Sequence, residues 1–440
     1  MCKRNLFIFL LLAGLLLSAC QTSQPQFATV EVTRLVRETQ IAPVEVTRIV
    51  QEPKIVIVEV TRLIRETVIV TQTPLTDLTL KITHGVPLQV PRSHHTATRL
   101  LDGRILLVGG SQGPDEYLAK VEIFDPVSGL ITQVAPLHTP RHDHSATLLP
   151  DGRVLVIGGY SLPRQWLDDA EVYDLTTDTW AIIPPKYSHG VTHTATLMRD
   201  GRILVVGGCI TGGYGSATNR VEIFNPQTNT WSEAKQLEGN RANHTAELLD
   251  DGRVLVIGGG GDAGAPAGGD ALLYNPQTNI WKATGPMIKP RIWAQSVKLS
   301  DGRVLVTGGM TLQDIPVSKI SASAEIYDPV SNLWTIAADL SEARYAYNLA
   351  LLPNGQVLVI GGVGVWESNW TEGSFVREIE VYDPITDRWH IAGELPLPEA
   401  FAAISILPDG RLWVTGGKAG QTNELFWLDT WLITFIPTQP

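Results

Sequence analysis

The sequence predicts an all-β protein built as a seven-bladed β-propeller of four-stranded antiparallel blades. A glycine-closed segment recurs seven times: DGRILLVGG at 102, DGRVLVIGG at 151 and 251, DGRILVVGG at 200, DGRVLVTGG at 301, NGQVLVIGG at 354 and DGRLWVTGG at 409. The first glycines, at 103, 152, 201, 252, 302, 355 and 410, are 49, 49, 51, 50, 53 and 55 residues apart, a period at which one supersecondary unit repeats. Charged residues make up only 18% of the chain, against 40 Gly and 28 Pro, which suits strands joined by turns better than helices.

Each unit reads as strands a to d. Strand a is of the HTATLL type, and an Asp-Gly turn follows in which Gly supplies positive φ. Strand b, of the RVLVIGG type, ends in the glycine pair. Strand c is of the AEVYD type, and a DPxT-like turn leads to strand d, which opens with Trp180, Trp231, Trp281, Trp334 or Trp389, or with Ile131 in blade one. Such units arranged around an axis leave only short, protected edges. A ring must also close. Every strand-d Trp stands ten residues before its next strand a, and Ile82 stands ten before Arg92, so the strand from Leu78 fits as the missing strand d of blade seven. TWLITFIP from Thr430 is the rival for that place.

The glycine pair, the aromatic of VYD or IFD and the Trp after it resemble kelch repeats, over about residues 78 to 436. The physical reading agrees: paired glycines let strand b pack where blades crowd, and Tyr and Trp are wedges between blades. The resemblance implies that the b–c and d–a loops share one face, which takes the ligand. It also implies that the residue opening strand a points to the mouth there.

That residue is Arg92, Arg141, Gly190, Arg241, Arg291, Arg344 or Glu399 in successive blades. The arginines would form a partial ring, a local positive patch able to take a carboxylate, acidic peptide or acidic sugar through bidentate bonds. The alternative is that each arginine belongs to the repeat and pairs with a neighbouring blade. Three residues on stand His95, His144, His193, His244, Ala294, Tyr347 and Ala402. Catalysis needs such a histidine once, so this register reads as scaffold, satisfied by a neighbouring blade's backbone. Function is sought where repeats break register. Trp166, Trp366 and Trp370 lie in b–c loops, and Trp293 lies near the mouth. Exposed aromatics beside Arg and Asp suit sugar stacking or a peptide hot spot, or else they pack over the loops.

Copper radical oxidases are built on a similar propeller. That resemblance implies a Tyr two residues after the strand-a Arg, joined to a Cys. Here those positions hold His94, Asp143, Thr192, Asn243, Trp293, Ala346 and Phe401, and Cys209 follows a glycine pair. The copper reading is disfavoured, and no metal or other cofactor is expected. The leading expectation is a non-catalytic module for a protein or glycan ligand, with a monomeric propeller. The alternative is a sugar-processing enzyme, hydrolase- or epimerase-like, for which Glu399, Asp143 and His94 at the mouth are acid and base candidates.

The chain opens with Lys3 and Arg4, an apolar run from Leu6 to Leu17, then Ser18-Ala19-Cys20. This reads as a signal peptide over 1–19 and resembles a bacterial lipobox, which implies lipidation of Cys20 and a membrane anchor on the extracytoplasmic face. VEVTR recurs at 30, 44 and 58, an even period that keeps each side chain on one face. Residues 20–75 are expected to be an extended stalk, or a self-association strand, and 76–437 the propeller. Cys209 is the only cysteine beyond Cys2 and Cys20, so no disulfide framework holds the fold. A net charge of −11 without a basic run excludes nucleic acid as a main partner.

Overall fold

The computed structural model describes residues 78–437 except 114, 163–164, 211–215, 262–269, 312–318, 367–372 and 420–424. The signal peptide, Cys20, the stalk and Trp370 lie outside the described residues. Seven four-stranded antiparallel sheets form the blades, six of them meanders of consecutive main strands. Strand a of blade two is Ser145–Leu148, followed by b at Val154–Ile157, c at Ala170–Asp174 and d at Thr179–Ile182. Strands a of successive blades are neighbours around the axis. Strand b is buried along its whole length, so its sequence is a continuous apolar run rather than an alternating one.

The ring closes with strands from both ends of the chain. Blade seven contains Ala403–Ile406, Leu412–Thr415 and Thr430–Pro437 as a, b and c, and Leu78–His84 as d. Ile82 pairs with Ile433, as the ten-residue spacing predicts, and the rival strand from Thr430 is strand c.

The cores lie between blades. One apolar cluster joins Leu106, Val108 and Val121 of blade one to Val154, Val156, Tyr173 and Trp180 of blade two. The wedges are also fastened by hydrogen bonds: indole Nε1 of Trp180 donates to Ala135 O at 2.8 Å, that of Trp231 to Ile183 O at 3.0 Å and that of Trp389 to Ala338 O at 2.8 Å, each in the preceding blade. A buried indole thus contributes apolar area without leaving its N–H unpaired.

The first glycine of the pair is explained by the next blade. Gly158 has φ +60°, and a Cβ there would stand 2.2 Å from Gly190 O. The strand-a histidines fill the same seam, with Nε2 against a hydroxyl of the preceding blade: His144 to Thr96 Oγ1 at 3.0 Å, His193 to Ser145 Oγ at 2.7 Å and His244 to Thr194 Oγ1 at 2.9 Å. The scaffold partner is therefore a side-chain hydroxyl, where the sequence suggested backbone. Burial pushes the imidazoles of His144 and His193 down to about 3, so they are neutral at pH 7.

Candidate functional site

The strand-a arginines sit inside their blades. Arg92, Arg141, Arg291 and Arg344 have no exposed surface, and Arg241 is also buried. In four blades Nη2 meets a buried strand-c glutamate of the same blade: Glu122 at 2.5 Å, Glu171 at 2.7 Å, Glu325 at 2.7 Å and Glu380 at 2.5 Å. Nη1 donates to the carbonyl of the first glycine of the pair, as from Arg141 to Gly158 O at 2.7 Å. The expected ring of open guanidiniums is corrected accordingly. Desolvating a guanidinium requires a carboxylate, in these four blades strand c supplies one, and Nη1 and Nη2 are engaged within the blade. The pairing is within a blade, not between blades.

The blades that lack this arginine make the same connection differently. In blade three His189, not the aligned Gly190, carries the role, with Nδ1 2.9 Å from Gly207 O and Nε2 3.2 Å from Glu222. In blade seven Glu399 stands for the arginine and Trp431 for the glutamate, and Trp431 Nε1 donates to Glu399 Oε1 at 2.5 Å. Burial raises this carboxyl to about 8, with Asp429 adding to the rise and the Trp431 bond opposing it.

The mouth is built by the next residues of each blade. The residue after the arginine register bridges to the residue after the glycine pair: Ser93 with Ser111, His142 with Tyr160, Val191 with Cys209, Ala242 with Gly260, Ile292 with Met310, Tyr345 with Val363 and Ala400 with Lys418. The b–c loops are thereby fixed to the d–a loops. The following residues, His94, Asp143, Thr192, Asn243, Trp293, Ala346 and Phe401, all have φ between +54° and +60°. For Thr, Trp and Phe that is an uncommon backbone state. It is held by a ring of backbone bonds in which His94 N–H donates to Phe401 O, Asp143 N–H to His94 O, Asn243 N–H to Thr192 O, Trp293 N–H to Asn243 O and Phe401 N–H to Ala346 O. Shared by all seven blades, this backbone state belongs to the repeat and sets where the seven side chains begin.

On one side of this ring the side chains join into an arc of aromatic and imidazole rings. Phe401 stacks on His94 at 4.0 Å, His94 meets His142 edge-on at 5.5 Å, His142 stacks on Tyr117 at 4.7 Å and meets Tyr160 at 5.5 Å, and Tyr160 meets Trp166 at 5.2 Å. All are partly buried residues. Asp143 lies within the arc, 41% exposed, with Oδ2 3.1 Å from His142 Nδ1. Burial would raise its carboxyl, but His94 and His142 hold it well below the ordinary carboxylate range. Burial, with Lys418 and His142 nearby, lowers His94 to about 4. Lys418 lies over the Phe401 ring at 4.9 Å. Across the mouth Trp293 stacks on Tyr345 at 5.8 Å. Of the tryptophans singled out by sequence, Trp166 and Trp293 stand in these groups. Trp366 ends the loop strand Val363–Trp366. The sequence reading missed His142, Tyr117 and Tyr160 because their partners come from different loops. Among the described residues no group of three or more His, Cys, Asp or Glu is placed to hold a metal ion.

With this geometry in place, comparison with known proteins is direct. A family model described as Attractin/LZTR1 beta-propeller matches residues 74–283, and one described as Kelch motif matches residues 299–341 and 345–396. Kelch motifs are therefore supported over residues 299–341 and 345–396, and the chain folds as a seven-bladed β-propeller. An F-box/kelch-repeat protein of Arabidopsis thaliana is 37% identical over 103 residues, which is 23% of this chain and 25% of that one. Kelch repeat and BTB domain-containing protein 12 of Homo sapiens is 26% identical over 133 residues, 28% of this chain and 21% of that one. The chain thus matches a quarter or less of these relatives' length. Among solved structures, a fungal alcohol oxidase of the AA5 family in complex with copper superposes with TM-score 0.61 at 17% identity, covering 82% of this chain and 76% of that one. YjhT superposes with TM-score 0.53 at 16% identity, covering 70% and 99%. At these identities the likeness is one of fold.

Proposed function

We propose that the protein is a non-catalytic binding module that takes a protein or glycan ligand on the mouth face of its propeller. The arc from Phe401 through His94, His142, Tyr117 and Tyr160 to Trp166 carries this reading. Partly buried aromatic and imidazole residues around the Asp143 carboxylate bring apolar groups beside a charged acceptor, the combination that sugar stacking and peptide hot spots use. Trp293 extends the surface, and Trp366 and Trp370 join it from sequence. A signal peptide over 1–19, lipidation of Cys20 and a stalk over 20–75 would hold the module on the outer face of a bacterial membrane. This part rests on the lipobox-like Ser18-Ala19-Cys20 and the VEVTR repeat.

The sugar-processing alternative rests on one observation: His94 and Asp143, an imidazole and a carboxylate, interact at the mouth.

The test uses full-length protein and the fourfold variant His94→Asn, Asp143→Asn, Tyr160→Ser, Trp293→Asn, because Asn tolerates positive φ. Both go on one glycan and peptide array after melting shows both folded. Binding by the wild type with at least tenfold loss in the variant is expected, and equal binding would refute the mouth site. Turnover of a bound sugar, lost in the variant, would move the reading to the enzyme.

A further inference from the structure

Blade four breaks the internal ion pair, and the break leaves a cavity. In blades two, three, five and six the strand-c glutamate does more than neutralise the residue opening strand a. It also accepts backbone N–H groups of the incoming d–a loop: His138 and Thr139 on Glu171, Lys186 and Tyr187 on Glu222, Ile288 and Lys289 on Glu325, and Ser341 on Glu380, at 2.7 to 3.3 Å. The repeat thus displays one way of holding a carboxylate several times over. In blade four the glutamate register, opposite Val256, holds Leu272. Arg241 is retained and 91% buried, its side-chain exposure being 9%. Its Nε has no partner, as is also the case for Arg92, whose blade keeps the glutamate.

Nη2 of Arg241 turns outward to Asp270 Oδ1 at 2.9 Å, a carboxylate 51% exposed. The loop N–H groups at Glu238 and Gly239, which match those that cap the glutamate elsewhere, lack this acceptor. Over Leu272 lies a cavity of about 650 Å³ lined by Arg241, Leu237, Leu272, Trp281, Glu238 and Gly239 among others. Its size is that of a small-molecule site. Blade two shows that an arginine already held by an outer aspartate still takes an inner carboxylate, since Arg141 binds both Asp169 and Glu171.

We propose that blade four is a carboxylate receptor: a small carboxylate on an apolar stem enters the cavity and occupies the place that glutamate holds in the other blades. Its oxygens accept from Nη2 of Arg241 and from the N–H groups of Glu238 and Gly239. Its stem packs on Leu272, Leu237 and the Trp281 ring. The guanidinium selects the charged form, because a buried cation gains most from an ionised acceptor. The site is separate from the aromatic arc, so its failure would leave the mouth reading untouched.

Butyrate matches the glutamyl stem, and butyramide is its neutral isostere. The full-length protein is titrated with each and followed by saturation-transfer NMR and by thermal melting. Saturable butyrate binding is expected, with a rise in melting temperature and at least tenfold weaker binding of butyramide. Leu272→Glu restores the repeat's own carboxylate, so the variant is expected to fold, to melt above the ligand-free wild type and to lose butyrate binding at least tenfold. Arg241→Gln is expected to lose it as well. A glutamyl tripeptide, blocked at both ends, and its glutaminyl analogue separate the sources: binding of the glutamyl peptide alone would keep the carboxylate chemistry but make an acidic side chain the ligand. Equal binding of butyrate and butyramide, undiminished binding by Leu272→Glu, or no binding of either carboxylate probe would overturn the proposal.

Discussion

Changing Glu399 to Gln should remove a pH dependence that blade seven builds into the fold. Glu399 is 2% exposed and its carboxyl is raised from 4.5 to about 8. The folded state therefore keeps a proton that the unfolded state releases above pH 4.5. Stability must fall as pH rises from 4.5 to about 8 and then level off. Each pH unit of this gap corresponds to about 1.4 kcal/mol, so the full effect is on the order of 4 to 5 kcal/mol, and about 3 kcal/mol at pH 7. Gln keeps an oxygen for Trp431 Nε1 and carries no titratable proton. Its amide group, placed near Glu399 Oε2, which has no partner, costs about 1 kcal/mol back. The assay is urea unfolding of both proteins at half-unit steps from pH 5 to 8.5. The variant should be equal or slightly weaker at pH 5 and stronger by about 2 to 4 kcal/mol at pH 8. The histidines are common to both proteins and cancel in the difference. A difference that does not change with pH would refute the reasoning.

Other consequences follow from the same interior. Arg141→Met leaves Glu171 charged and buried, and should cost about 3 to 5 kcal/mol. Adding Glu171→Gln should recover most of that loss, as melting or urea midpoints of the set would show. Gly158→Ala forces a positive φ worth about 1 to 2 kcal/mol. It also drives a Cβ to 2.2 Å from Gly190 O, so the midpoint should fall by more than the φ cost alone. His144 and His193, lowered from 6.5 to about 3, bind protons only on unfolding at mildly acid pH. Their contribution is complete above pH 6.5 and is lost as pH falls toward 3, by about 1.4 kcal/mol per unit each. Unfolding followed from pH 7 to 4 in wild type and a His144→Gln variant should therefore converge toward the acid end.

The blades were legible because their chemistry is local and repeated. DGRVLVIGG announces a turn, a buried strand and a crowded seam within nine residues, and the ten-residue spacing of Ile82 placed the closing strand. Arg141 shows where this stops. Its partner Glu171 is 30 residues on, while the partner of Arg344 is 36 on, because loops of different length intervene. A register alone therefore gives the position of a guanidinium without its direction. His189 was hidden by one extra residue between it and His193, compared with the spacing from Arg141 to His144. The positive-φ ring carries no glycine to mark it: interblade hydrogen bonds impose the conformation on Asp143, Thr192 and Trp293 alike. The arc is assembled from loops of several blades, so no single window of sequence contains it.

The central claim is that the arginines hold the blades while the arc meets the ligand. Its most direct test measures melting and array binding side by side for Arg141→Met and Tyr160→Ser. Arg141→Met should melt well below the wild type yet bind at full strength per folded molecule, and Tyr160→Ser should melt as the wild type does and bind at least tenfold more weakly. The reverse pattern, with binding lost in Arg141→Met while it remains folded and kept in Tyr160→Ser, would contradict the account.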